Sequence, residues 1–250
     1  MSNETRQNWF NQGGEAYARF RPDYPDTLAS FLASVSPSTR LAVDVGCGTG
    51  QLTTQLAEHF DAVIGLDPSA GQIASARQHE RVRYRSAPAE ALPADDHSVS
   101  LITAAQAAHW FDLPAFYAEA RRIGETGAVV ALISYGVPVL DAAIQSCYQT
   151  FYSEQIGPYW PPERELVDSG YATIDFPFRA LPKPELFIER HWDLAEMLGY
   201  ISTWSAVKRA RDAGQQALLE DFARDLGAAW GSPETRRHFR WPINMRLGTL

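Results

Sequence analysis

A short apolar run, Leu41-Ala42-Val43-Asp44-Val45, leads directly into Gly46-Cys47-Gly48-Thr49-Gly50 and then into Leu52, Leu56, Ala57 and Phe60 at helical spacing. Strand, glycine turn and helix in that order leave a chain few folds to choose from. Three glycines in five residues permit positive φ and let another group come close to the backbone. In a doubly wound sheet this first turn lies at the crevice where ligands bind. The rhythm continues downstream. Residues 62–66, 82–85, 99–103 and 128–134 read as strands, and 69–79 and 113–123 as helices, the second with Phe116, Tyr117, Ala120 and Ile123 on one side. Strands alternating with helices predict a parallel sheet covered on both faces.

Upstream, Trp9, Phe10, Tyr17 and Phe20 mark a short helix or ordered arm. Pro22 stops it, and Pro25 suits the first turn of a helix carrying Leu28, Phe31, Leu32 and Val35 on one face, closed by Pro37. Downstream of Tyr135 the pattern loosens. Residues 137–182 are rich in Pro, Tyr, Phe and Trp and read as a cap inserted over the active site. Then follow a strand at 187–192, helices at 194–207 and 217–230, and a last strand at 239–247 in which Pro242 predicts a bulge or an edge.

With 250 residues the chain can bury a core without disulfides or a structural metal, and it reads as one domain over 1–250 with a helical arm at 1–36. Cys47 and Cys147 are too few for a disulfide framework and lack a metal-ligand pattern, so no metal is expected and the setting is read as cytoplasmic. No apolar run approaches a membrane span, and residues 1–9 have no apolar signal core. A net charge of −8 argues against a protein that grips nucleic acid through phosphates. The expected partner is a small molecule; oligomeric state is not encoded in any motif.

Two ligand classes compete for the glycine loop. A dinucleotide fold uses G-x-G-x-x-G to seat pyrophosphate on the helix N-terminus. Counted from Gly46, its third glycine falls on Gln51. The pattern here is D-x-G-x-G-x-G, with Asp44 two residues before the first glycine. An acid there suits the cationic amino group of S-adenosylmethionine, directly or through water; its plain alternative is a turn cap. Asp67, ending the second strand ahead of Pro68, is placed to accept from the hydroxyls of an adenosine ribose, or to cap the next helix. Ala87-Pro88-Ala89-Glu90-Ala91-Leu92-Pro93 follows the third strand, where a loop can offer amides to an adenine edge.

These residues resemble the class I S-adenosylmethionine-dependent methyltransferases of the type 11 kind, over about 40–135. Tyr17-Ala18-Arg19-Phe20-Arg21-Pro22-Asp23-Tyr24-Pro25, Ala105-Gln106-Ala107-Ala108-His109-Trp110-Phe111 and Thr203-Trp204-Ser205 are similar to the subgroup that includes the yeast-type trans-aconitate methyltransferase. The fold implied is α/β: a Rossmann-like doubly wound, mostly parallel seven-stranded sheet with an antiparallel last strand and a small cap insertion. The resemblance implies S-adenosylmethionine as cofactor and S-adenosylhomocysteine as product. It assigns the methionine part to Asp44, Gly46 and Gly48, the ribose to Asp67, and the adenine to Pro68, Ala89 and Glu90, with Tyr17 and Arg21 closing over them. Cys47 joins this cofactor wall as a small apolar filler, and Ala105 and Gln106 join it from the fourth strand. Many relatives carry Asp or Ser where this chain has Pro88, which offers neither an amide donor nor a polar side chain.

Methyl transfer from a sulfonium needs alignment first, and a base only if the acceptor must lose a proton. His109 is the candidate base or positioning group, and Trp110 a candidate wall beside the methyl group. An acidic acceptor would call for a cation, with Arg19, Arg21, Arg190, Arg240 and Arg246 as candidates. Tyr159, Trp160 and Trp204 are candidates for an aromatic pocket or for core. The leading expectation is an enzyme that methylates a small molecule, a carboxylic acid among the options. A non-catalytic S-adenosylmethionine-binding module and an NAD-dependent oxidoreductase are the alternatives.

Overall fold

Alternating side chains along one strand show how the molecule is layered. In a computed structural model, which describes residues 20–250, Val129, Ala131 and Ile133 pack into one hydrophobic cluster, while Val130 and Leu132 pack into another. Successive strand residues point to opposite faces, so both faces of this sheet are covered. The first cluster holds Leu28 and Leu32 of α1 (Asp26–Val35) and Leu52 and Leu56 of α2 (Gln51–Ala57). The second holds Phe116, Ala120 and Ile123 of α4 (Leu113–Ile123).

Strands β1 (Leu41–Val45), β2 (Ala62–Asp67), β3 (Val82–Ser86), β4 (Val99–Ala105) and β5 (Gly124–Tyr135) pair in parallel, with α3 (Ala70–Ala74) between β2 and β3. The order continues through β8 (Arg237–Thr249), antiparallel to β5, to the two-residue β6 (Arg179–Ala180), giving β3-β2-β1-β4-β5-β8-β6. The path therefore has seven strands with one reversed, and β7 (Phe187–Trp192) is an eighth that pairs with the first half of β8. Pro242 lies at an edge and not in a bulge: the register is unbroken, and among the described residues the first half of β8 has one paired strand, β7. It sits where β8 changes partner from β7 to β5, a position where a missing N–H costs little.

The region beyond Tyr135 is more regular than its composition suggests. It contains α5 (Ala142–Thr150), a π-helical turn at Phe151–Gln155 and α6 (Arg164–Asp168). Two further expectations change. The helix expected at 194–207 is two, α7 (Leu194–Ser202) and α8 (Ser205–Asp212), because Trp204 is extended, with ψ 140° in place of a helical value. Its ring is buried edge-on to Tyr148, Tyr152 and Tyr200, and helical geometry gives way to that packing. The helix expected at 69–79 stops at Ala74. The chain then turns so that Arg77 donates its N–H to Thr49 O at 3.0 Å and accepts at its carbonyl from the Tyr84 hydroxyl at 2.8 Å. The last helix, α9 (Gln216–Trp230), packs on α5. Within the expected arm, α1 is in place, and residues 1–19 lie outside the described part.

No helix among the described residues is long and apolar enough to cross a membrane. Trp241, fully buried where β8 meets the aromatic cluster, anchors the second half of the chain. Trp241→Ala is expected to lower the unfolding free energy by about 3–5 kcal/mol in urea titration. A loss below about 1 kcal/mol would mean that β8 does not depend on this side chain.

Candidate functional site

The sheet order reverses between β1 and β4, and the ends of these strands open on one cavity of about 620 Å³. A crevice at such a switch point follows from topology: the loops leave in opposite directions and the sheet ends lie open between them. Arg21, Asp44, Gly46, Cys47, Gly48, Asp67, Pro68, Ala89, Glu90, Ala105, Gln106, His109 and Trp110 all line it. Tyr17 lies outside the described residues.

The three loop glycines have different reasons. Gly46, Gly48 and Gly50 have φ of +70°, +56° and +84°. A Cβ on Gly46 would overlap the Ala107 side chain, and one on Gly50 the Tyr84 hydroxyl, so both glycines permit close packing of protein on protein. Among the described residues, a Cβ on Gly48 would meet nothing within 4 Å. It faces the cavity, so protein packing does not explain its lack of a side chain. Cys47 between them is buried, and burial pushes its thiol pKa up; it is an inert filler, not a nucleophile.

Asp44 is 1% exposed and caps no turn. Its carboxylate accepts from the Thr53 hydroxyl at 2.6 Å and the Thr103 hydroxyl at 2.8 Å. Burial raises its pKa to about 6 against the opposing pull of these two bonds. Asp67 accepts from Gly48 N–H at 3.0 Å and Ser69 N–H at 2.8 Å, which ties the glycine loop to the end of β2. Burial raises its pKa as well. The cap of α3 is Ser69, so Asp67 is not the N-cap that its place beside Pro68 suggested. Glu90 accepts from Asp112 N–H at 2.8 Å and so braces the loop after β3 against the start of α4. Gln106, at φ +54°, donates its amide to Tyr135 O at 2.6 Å.

His109 and Trp110 lie in a 3₁₀ turn, Ala108–Trp110, directly after β4. The Nδ1 of His109 is 2.9 Å from the Tyr171 hydroxyl. Burial, aided by the Arg164 cation, pushes the imidazole pKa down to about 3.

Several lining residues carry no motif. Gln51 Nε2 and Gln72 Oε1 are buried with no hydrogen-bond partner among the described residues, one a spare donor and the other a spare acceptor. Gln51 has a sequence signal, its place after the last loop glycine; Gln72 has none. Arg209 of α8 also lines the cavity, with Tyr24, Tyr135, Pro162 and Glu163. Of the candidate cations only Arg21 is in the wall. Arg190 donates to Asp23 O, Arg240 stacks on Phe187, and Arg246 lies over Phe176; Arg19 lies outside the described residues. Tyr159, Trp160 and Trp204 pack into the core cluster and do not line the cavity.

The glycine geometry predicts unequal effects. Gly46→Ala combines overlap with a left-handed φ and is expected to cost about 2–5 kcal/mol. Gly48→Ala bears only the backbone strain, about 1–2 kcal/mol. Denaturant titration of both variants checks the order; equal losses would contradict the open space at Gly48.

Residues 43–132 match the methyltransferase domain family. A protein of Dictyostelium discoideum named as a methyltransferase is 36% identical over 225 residues, 88% of this chain and 86% of that one. A Saccharomyces cerevisiae protein named as an S-adenosylmethionine-dependent methyltransferase is 30% identical over 144 residues, covering 53% of this chain and 50% of its own length. The solved structure of a methyltransferase from Anaeromyxobacter dehalogenans, described as type II, superposes with a TM-score of 0.86 at 43% identity, covering 92% of this chain and 98% of that one. An acid and three glycines at the head of a doubly wound sheet, continuous with these relatives over most of the chain, make this protein a member of the S-adenosylmethionine-dependent methyltransferases.

Proposed function

We propose that this enzyme methylates a small carboxylic acid inside the cavity. The observation that carries the reading is that Arg21 and Arg209 share one enclosed space with the glycine loop, Asp44 and Asp67. Arginine suits a carboxylate because its planar fork can bind both oxygens. Glu163 also lines the cavity and opposes any second negative charge near it. A trans-aconitate 2-methyltransferase of Acidovorax, 43% identical over 65 residues and 25% of either chain, acts on an acid of this class and supports the choice. The subgroup assignment and the cap at 137–182, of which Pro162 and Glu163 reach the cavity, belong to the same reading. Two free thiols, Cys47 and Cys147, support a cytoplasmic setting.

The cavity suits S-adenosylmethionine. Space at Gly48, a spare donor on Gln51 and a spare acceptor on Gln72 answer to a ligand with both a carboxylate and an amino group. In our reading Asp44, Gly46 and Gly48 hold the methionine part, and Asp67 the ribose. Pro68, Ala89 and Glu90 flank the adenine, with Cys47, Ala105 and Gln106 completing the wall. When bound, the cofactor supplies an electrophilic methyl group on a sulfonium. The protein's own task is to hold the acceptor in line, and such alignment contributes on the order of 7–11 kcal/mol. A carboxylate acceptor has no proton to lose, so no base is required of this chain.

Incubation with S-adenosylmethionine and trans-aconitate, followed by mass spectrometry, is expected to yield S-adenosylhomocysteine and a methyl ester. Turnover of neutral acceptors with none of small acids would overturn the substrate class. The Asp44 role has its own signature. With its pKa raised to about 6, Asp44 is largely protonated at pH 5 and ionised at pH 7. Only the ionised form attracts an ammonium group, so S-adenosylhomocysteine should bind about tenfold more tightly at pH 7 than at pH 5. Calorimetric titration of the native protein and of Asp44→Asn tests this, since the variant should lose the dependence. A native affinity that is flat across that window removes Asp44 from the role.

A further inference from the structure

We propose that His109 acts as a hydrogen-bond donor to the acceptor's oxygen: Tyr171 holds its imidazole as the neutral tautomer with the proton on Nε2, and that N–H faces the cavity. The proposal deepens the reading above and rests on it for the identity of the acceptor.

The chain makes an unusual effort to place Tyr171. At the end of α6, Gly170 and Tyr171 both adopt left-handed backbone, with φ of +63° and +61°. A tyrosine in that region is uncommon and persists only where its surroundings hold it there. Its N–H donates to Leu166 O at 2.8 Å, and its side chain is fully buried. The pair of left-handed residues turns the chain at the end of α6, and the phenol reaches the turn after β4, 62 residues earlier in sequence, where its hydroxyl lies 2.9 Å from His109 Nδ1.

The direction of that hydrogen bond follows from what else the hydroxyl meets. The backbone amides of Ala108 and His109 lie on the side of the Tyr171 oxygen and favour negative charge on it, against the effect of burial. These amides open a 3₁₀ turn, so the turn itself provides them no acceptor. An oxygen set in such a field more readily gives its own proton to a neighbouring ring nitrogen than accepts a further one. Nδ1 is therefore the acceptor, and the ring proton sits on Nε2. Protonation of the whole ring is opposed by burial and by Arg164. Arg164 is held in place by the Asp168 carboxylate at 2.9 Å and the Tyr152 hydroxyl at 3.0 Å, with its guanidinium 4.7 Å from the Trp160 ring centre. Tyr171 and Arg164 thus face His109 from the segment around α6, and Trp110 packs beside it on its own turn at 4.9 Å between ring centres.

A neutral imidazole with a pKa near 3 takes a proton poorly at neutral pH, whereas its N–H binds an anionic oxygen well. Held at one oxygen by Nε2–H, a carboxylate has its other oxygen free to react. An electron pair of that oxygen forms the new C–O bond while the C–S bond breaks onto sulfur. The carboxylate and sulfonium charges cancel, and no proton is released. His109 is in this sense a binding group for the acceptor, and Tyr171 is a positioning residue that acts through it.

Nitrogen NMR of the histidine-labelled full chain with S-adenosylhomocysteine reads the tautomer without turnover. The expected spectrum has an unprotonated Nδ1 and a protonated Nε2 on His109, unchanged from pH 5.5 to 8, with Tyr171→Phe giving a mixture of tautomers. A proton on Nδ1, or an imidazolium signal in that range, overturns the proposal. With trans-aconitate as the probe, His109→Ala should raise KM about tenfold with a smaller effect on kcat. His109→Gln, which keeps an N–H near the position of Nε2, should recover most of that loss. Glutamine as poor as alanine, or a kcat limb between pH 6 and 7 that both variants abolish, overturns it as well. If the native protein does not bind trans-aconitate at all, the carboxylic acid reading fails, while the spectrum still decides the tautomer.

Discussion

A carboxylate almost out of reach of solvent is tied by two hydroxyls at the end of β1. Asp44 joins three elements at once: its own strand, α2 through Thr53 and β4 through Thr103. The register pairs Asp44 directly with Thr103 across β1 and β4, the strand pair between which the sheet reverses direction. Burying an acid is unfavourable unless it is hydrogen-bonded, and the raised pKa shows that burial outweighs the two bonds. The group is thus costly for the fold, yet it lines the cavity. The glycine loop starts two residues later, and Asp67 ties that loop to β2 through the Gly48 amide. Asp67 thus fixes the turn, and Asp44 fixes the strand end before it, at the point where the topology already leaves a crevice.

The second half of the chain closes this crevice from above the sheet. Its aromatic residues are mostly structural. Tyr148, Tyr152, Tyr200 and Trp204 pack edge to face or stacked, in the offset arrangements that ring quadrupoles favour. This cluster breaks the chain between α7 and α8 and thereby sets the position of α8. Arg209 reaches the cavity wall from that helix. A packing decision at Trp204 is in this way connected to the charge at the cavity wall. The segment around α6 has the same double character. Arg164, Asp168 and Tyr152 form a hydrogen-bonded polar group that secures the segment, and Tyr171 at its end meets His109.

Much of the cofactor side was legible because its information is local. A strand, three glycines and an acid at fixed spacing can be read by eye, and the apolar periodicity of α1, α2 and α4 marks which faces are covered. The candidates for the cofactor wall, with His109 and Trp110, thirteen residues from Arg21 onward, meet in one cavity, whereas the candidate pocket rings and three of the candidate cations do not line it. The errors have a common cause. Trp204 leaves helical geometry because distant rings surround it. The helix after Ser69 is cut short because Arg77 joins Thr49 and Tyr84.

Sequence alone determined the α/β layering, the site of the crevice and the class of cofactor, because each rests on residues a few positions apart whose spacing constrains the backbone directly. Tertiary structure decided which arginine enters the cavity, which aromatic rings are core, and which nitrogen of His109 carries a proton. Those outcomes depend on groups brought together from far along the chain, such as Tyr171 beside His109 and α8 beside the glycine loop. No local pattern encodes such meetings, since they arise only once the two hydrophobic clusters have packed and the remaining polar groups have found partners.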